Sequence, residues 1–71
     1  MLGIIINNEE LVELEYIIKK ELDEIIFDLE DARMDITVKK AMYNRYHTLF
    51  QLFRRVASES DVQKYVLNYK F

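Results

Sequence analysis

Apolar residues between positions 7 and 32 recur at intervals of three and four, which is the spacing of one face of an α-helix. The stripe is wide, as expected of a helix that faces a core. Asn7 suits the N-cap, and Glu10 can return a hydrogen bond to that cap, as in a capping box. The pattern therefore predicts a first helix over residues 8–32, with a core-facing stripe of Leu11, Leu14, Ile18, Leu22, Ile25, Leu29 and Ala32.

A second apolar arc covers about half the circumference of a helix over residues 37–57. Its centre is out of phase with the first stripe, so we expect a break near residues 33–37, with Asp35 or Thr37 as the second N-cap. The first helix is acidic, whereas the second carries basic residues and no acidic one, so antiparallel packing would bring opposite charges to the seam. The predicted fold is therefore all-α, an antiparallel hairpin of these two helices.

Both ends of the chain are expected to add short elements to this hairpin. Residues 1–6 are apolar and suggest an N-terminal arm. Ser60 and Gln63 have the spacing of another capping box, which predicts a short C-terminal helix within residues 60–71. The same segment also alternates as a strand does, and such a strand could pair with the arm, so both forms remain open for Tyr65, Leu67, Tyr69 and Phe71.

The composition fits a single small domain over residues 1–71. The chain is 51% hydrophobic, with no proline and one glycine, which is typical of a folded, helix-rich protein. A core of this size rarely supplies more than ~3–5 kcal/mol, and without cysteine no disulfide can add to it. We therefore expect a homodimer in which two hairpins form a four-helix bundle. The aromatic side of the second helix is the expected dimer interface or, alternatively, a groove for a partner helix, formed by Tyr43, Tyr46, Phe50 and Phe53.

The sequence contains no motif of enzymatic chemistry. His47 is the only histidine and has no acidic residue one turn away, so a solvated side chain explains it better than a general base does. There is no glycine-rich phosphate loop and no HExxH motif, so we expect no enzymatic activity, metal or cofactor. No apolar run approaches the ~20 residues of a membrane span, and the N-terminus lacks the basic region of a signal peptide. A cytoplasmic protein is therefore expected.

A row of carboxylates follows one side of the first helix, at spacings of three, four or eight residues. Carboxylates one turn apart lie ~5–6 Å from each other, and such a row can dock onto a basic partner. The alternative is a solvated face that the second helix partly neutralises. The predicted function is a non-enzymatic regulatory or adaptor protein, such as an inhibitor or anti-repressor, that binds a basic protein through Glu13, Glu21, Glu24, Asp28 and Asp31.

Two other functions remain open. A purely structural dimerisation module would use the same helices without a specific partner. A nucleic-acid-binding protein would use the basic residues of the second helix, but the formal net charge of −3 and the adjacent acidic helix disfavour a phosphate backbone. In size and layout, the chain is similar to the small two-helix regulators of spore-forming bacteria and to phage-encoded inhibitors of host proteins. This likeness concerns architecture and assigns no residue a role.

Overall fold

Within residues 3–67, the part of the chain that the computed structural model describes, there are three α-helices. Helix α1 spans Asn8–Leu29, helix α2 spans Ile36–Val56, and the short helix α3 spans Glu59–Gln63. Helices α1 and α2 pack together as a hairpin, and α3 contacts α2. The predicted helical hairpin is therefore confirmed, whereas its association into a four-helix bundle stays a prediction.

The C-terminal segment resolves one of the open alternatives. Residues 3–67 contain no strand, so neither the arm nor the described part of the C-terminal segment forms the alternative strand pair. The predicted short helix is present as α3. Residues 68–71, on which the predictions for Tyr69 and Phe71 fall, lie outside the described residues.

The start of α1 follows from its predicted capping residues. The Asn7 side chain accepts a hydrogen bond from the Glu10 backbone N–H at 2.8 Å, and the Glu10 carboxylate accepts one from the Asn7 backbone N–H at 3.0 Å. These bonds satisfy backbone donors that the first helical turn leaves without partners. The predicted capping box is therefore confirmed.

Helix α1 ends at Leu29, earlier than the predicted end at residue 32. The turn that follows is held by Asp31, whose carboxylate accepts from the Arg33 backbone N–H at 2.9 Å and from the Arg33 guanidinium at 3.2 Å. Such local bonding offers the backbone an alternative to the helix. Ala32, which was expected on the core-facing stripe, is therefore exposed in the turn.

Helix α2 begins after Asp35, one of the two predicted caps, whose carboxylate accepts from the Thr37 backbone N–H at 2.7 Å. Its bounds of 36–56 differ from the predicted 37–57 by one residue at each end, which is the usual uncertainty of helix ends. The break between α1 and α2 is therefore confirmed as well.

The cap of α3 differs from the prediction. Its N-cap is Ser58, whose hydroxyl accepts from the Asp61 backbone N–H at 3.3 Å. Ser60 lies inside the helix, and the Gln63 side chain bonds to Glu59 at 3.1 Å instead of to a cap. The Ser60–Gln63 capping box is therefore wrong, because the chain re-enters a helix so soon after α2 that the earlier serine takes the capping position.

The core lies between the long helices and is closed on one side by α3. Leu22 and Phe53 are fully buried, and the Tyr65 ring meets the Phe53 ring edge-on with a centroid distance of 5.3 Å. Burial of apolar surface is the main stabilising contribution in such a core. Its buried side chains are Ile18, Leu22, Ile25, Leu29, Tyr46, Phe53, Val62 and Tyr65.

Candidate protein-interaction surfaces

The aromatic side of α2 lies largely inside the molecule. Tyr46 and Phe53 are only 3% and 0% exposed within a single chain, and Tyr43 and Phe50 are half-buried. The Tyr46 hydroxyl donates to the backbone carbonyl of Tyr65 at 2.6 Å, and the Tyr46 ring stacks on the Phe50 ring at 6.4 Å. Tyr46 and Phe53 therefore belong to the core of one chain, which leaves Tyr43 and Phe50 as the partly exposed members of the predicted dimer interface.

The contacts of α3 define which side of the hairpin it covers. Burial raises the pKa of the Tyr65 phenol to about 12, and the nearby Asp23 carboxylate of α1 adds to this shift. The positive charge of Lys19 on α1 lowers the pKa of Asp61 on α3, with a further contribution from the Ser58 side chain. Helix α3 and Tyr65, two residues beyond its end, therefore lie on the Lys19 and Asp23 side of α1.

Two carboxylates of the predicted acidic row are used within the chain. Glu21 pairs with Arg45 of α2 at 3.1 Å, as expected for opposite charges at the seam of the hairpin. Asp31 pairs with Arg33 at 3.2 Å, and the hydrogen bond from the Arg33 backbone is the main reason that the pKa of Asp31 is lowered. Glu21 therefore forms an ion pair between the two helices of the hairpin, and Asp31 forms one within the turn.

The other three members of the row remain available on the surface of α1. Glu13 and Glu24 are exposed, and Asp28 is half-buried. None of the three forms an ion pair with another residue between positions 3 and 67. Of the five predicted carboxylates, these three are therefore the ones without an ion pair to another described residue.

Three large apolar side chains of α1 are exposed to solvent. Val12, Tyr16 and Phe27 are 67%, 61% and 77% exposed, respectively. The sequence pattern had placed them off the core-facing stripe but could not show whether another segment covers them. Phe27 shares a shallow depression with Glu24 and Asp28, which Lys20 and Asp23 also line. We call this surface the outer face of α1, defined by Val12, Tyr16, Glu24, Phe27 and Asp28.

A second exposed apolar surface crosses both long helices. Ile17 of α1 is 51% exposed, Leu52 of α2 is 36% exposed, and Ile4 of the N-terminal arm is 77% exposed. The arm, α1 and α2 together line a groove of about 400 Å³, and a depression of about 290 Å³ lies between the arm and α1. We call this surface the open face, defined by Ile4, Leu14, Ile17, Leu52 and Val56. The sequence pattern indicates this surface only weakly, through the position of Ile17 beside the core-facing stripe.

Candidate catalytic groups are not brought together in the described part of the chain. His47 is exposed and lines a cavity of about 230 Å³, whose other lining residues include no carboxylate. No group of His, Cys, Asp and Glu between residues 3 and 67 is arranged to hold a metal ion. Among the same residues, no helix is both long and apolar enough to cross a lipid bilayer.

Comparison with known proteins assigns no relative: no family model matches the chain, and neither the curated proteins nor the solved structures contain a match. The functional interpretation therefore depends on the two exposed surfaces.

Proposed function

We propose that this protein is a small non-enzymatic regulatory or adaptor protein, which binds a basic partner protein through the outer face of α1. The observation that carries the proposal is the position of Phe27, a 77% exposed aromatic side chain next to Glu24 and Asp28. The outer face of α1 thus presents an apolar side chain and two carboxylates at the same place. A basic amphipathic segment of another protein has the complementary chemistry.

Phe27 is well suited to act as an anchor. It lies on a long helix that is held by the hairpin core, so little backbone ordering is required when a partner binds. Aromatic anchors are frequently the residues whose removal weakens an interface most, often by 2 kcal/mol or more. The exposed carboxylates would mainly steer a basic partner toward the helix and select it over acidic proteins.

The proposal uses fewer carboxylates than the sequence suggested. Because Glu21 and Asp31 already pair with Arg45 and Arg33, the charge offered to a partner comes from the remaining members of the row. Of these, Glu24 and Asp28 lie beside Phe27 on the outer face of α1. An inhibitor or anti-repressor that covers a basic surface of its target would fit this arrangement.

Binding of a labelled peptide tests the proposal. The probe is a helical peptide of leucine and lysine, with a leucine–glutamate peptide of the same pattern as its control, followed by fluorescence anisotropy. Wild-type protein should bind the basic peptide, and Phe27→Ala should weaken that binding by about tenfold or more. Equal affinities of wild-type protein and Phe27→Ala would contradict the proposal.

A pair of charge variants separates specific docking from general attraction. Glu24→Lys should weaken binding, and more strongly at low than at high salt, because exposed charges are screened by ions. Glu59→Lys makes the same charge change on α3 and should leave the affinity close to that of wild type. Equal losses in both variants would indicate attraction by net charge alone.

The two alternative functions predict different results. A structural dimerisation module predicts no binding of the basic peptide even at low salt. A nucleic-acid-binding protein predicts retention of a single-stranded RNA oligonucleotide that falls steeply as salt rises. The second alternative would depend on the basic residues of α2, namely Lys39, Lys40, Arg54 and Arg55.

We also propose that the protein forms a homodimer, a four-helix bundle, in the cytoplasm. The small core and the exposed apolar side chains of the open face support self-association. The lack of cysteine is compatible with a cytoplasmic location.

A further inference from the structure

We infer that a second copy of this chain docks on the open face, so that α1 of each hairpin lies over α2 of the other. This inference rests on the proposed homodimer and specifies its surface and its orientation. It moves self-association away from the aromatic side of α2 to the opposite side of the hairpin.

Helix spacing shows that the open face lies opposite α3. Side chains two positions apart on an α-helix point about 200° apart, which is nearly opposite. Phe50 lines a cavity with Tyr65, next to α3, so Leu52 points to the other side of α2. On α1, Ile17 lies two positions before Lys19, whose positive charge lowers the pKa of Asp61 on α3. Ile17 therefore points away from α3. Helix α3 thus packs on one broad side of the hairpin, whereas the other side carries the N-terminal arm and the exposed side chains of the open face.

The open face has the size and the polarity of an interface. The described molecule measures 41 × 26 × 16 Å, so the whole broad side on which the open face lies offers more than the ~800 Å² per partner that a standard interface buries. Ile4, Ile17 and Leu52 are all exposed there. A contiguous apolar patch of this kind is typical of a protein–protein contact.

The charges at the edges of the open face favour a second copy as the occupant. Its α1 edge is acidic, with Glu10 and Glu13 next to Ile17, and its α2 edge is basic, with Arg55 next to Leu52. A two-fold interface places the same patch on both subunits, so the patch must be complementary to itself. A surface with acid along one edge and base along the other satisfies this requirement.

The same charges select one of two possible orientations. Rotation about an axis parallel to the helices places the acidic edge of each copy over the basic edge of the other. Rotation about an axis perpendicular to the helices, in the plane of the interface, places α1 over α1 and brings acidic residues together, which is unfavourable. In the favoured arrangement every helix is antiparallel to its neighbours, as in many four-helix bundles.

The register within the hairpin indicates which residues would meet. Glu21 bonds to Arg45, and Leu14 lines one groove with Leu52, so these pairs lie at matching heights along the hairpin. Rotation about an axis parallel to the helices keeps each residue at its height. Leu52 of one copy is therefore expected to contact Leu14 and Ile17 of the other.

Light scattering across a dilution series tests the surface. Wild-type protein should show twice the mass of one chain, whereas Ile17→Asp and Leu52→Asp should show the mass of one chain. Both side chains are exposed in a single hairpin, so the substitutions should spare folding, which circular dichroism checks. Val12→Asp places the same charge on the outer face of α1 and should remain dimeric.

The outcomes separate the inference from the proposal on which it rests. A dimer that survives both Ile17→Asp and Leu52→Asp would overturn the assignment of the open face but not the homodimer. A wild-type monomer at every concentration would overturn both.

Cysteine cross-linking tests the orientation, because the chain contains no cysteine of its own. A mixture of Ile17→Cys and Leu52→Cys chains should form disulfide-linked heterodimers under mild oxidation. Ile17→Cys alone should link poorly, since the two Ile17 positions lie diagonally across the inferred bundle. Rapid linking of Ile17→Cys to itself, or no heterodimer in the mixture, would overturn the orientation.

Discussion

A single residue, Tyr65, joins the short helix to both long helices through its ring and its backbone carbonyl. Its ring packs edge-on against Phe53, its carbonyl accepts from the Tyr46 hydroxyl, and its phenol lies near Asp23. Loss of the phenolic proton is unfavourable because the resulting negative charge would be buried and close to a carboxylate. The pKa of Tyr65 is therefore raised to about 12.

This pKa predicts that the free energy of unfolding decreases as the pH rises from about 10 to about 12. Below pH 10 Tyr65 is protonated in both states, so its contribution to stability is fully present. Above this pH the unfolded chain releases the proton while the folded chain retains it, which favours the unfolded state. Urea unfolding across this pH range should show a smaller loss for Tyr65→Phe than for wild type. Equal losses in the two proteins would contradict the assignment.

At the scale of the elements, short polar side chains decide where the helices begin. Asn7, Asp35 and Ser58 each accept a hydrogen bond from a backbone N–H of the helix that follows. The end of α1 depends in the same way on Asp31, which bonds to the backbone of the turn. Helix boundaries in this chain are thus set by local hydrogen bonds rather than by glycine or proline.

Replacement of the first cap should therefore destabilise the protein. Asn7→Ala removes the acceptor for the Glu10 backbone N–H, so we expect a loss of about 1 kcal/mol in the free energy of unfolding. Asn8→Ala changes the same residue type one position later, at the first residue of α1, and should have little effect. Urea denaturation at matched protein concentration measures both, and equal losses would argue against the capping role.

At the scale of the whole molecule, few side chains form the core. Two long helices and one short helix bury a single layer of apolar residues, and several large apolar side chains remain outside it. A domain of this size has a modest total stability, on the order of 3–5 kcal/mol from its core. The free energy lost when one central core side chain is removed is therefore comparable with the total free energy of unfolding.

Two phenylalanines with opposite burial provide a test at this scale. Phe53→Ala should cost ~3–5 kcal/mol and leave most of the chain unfolded at room temperature, because Phe53 is fully buried. Phe27→Ala should change the stability by less than about 0.5 kcal/mol, because Phe27 is 77% exposed. Circular dichroism during thermal unfolding measures both. A Phe53→Ala protein that unfolds at the wild-type temperature would contradict the described core.

The amino-acid sequence by itself determined the features that depend on neighbouring residues. These are the two long helices, the caps at Asn7 and Asp35, most of the core-facing stripe of α1, and the opposite charges that meet at Glu21 and Arg45. Periodicity and capping act over a few positions along the chain, so they are visible without tertiary structure.

Only the tertiary structure decided which apolar surfaces are covered. The position of α3 buries Tyr46 and Phe53, which the sequence had suggested for a dimer interface, and leaves Ile17 and Leu52 exposed on the opposite side. It also showed that no other described segment covers Phe27. These outcomes depend on contacts between residues far apart in the chain, and local periodicity shows that a helix has an apolar face but not what lies against it.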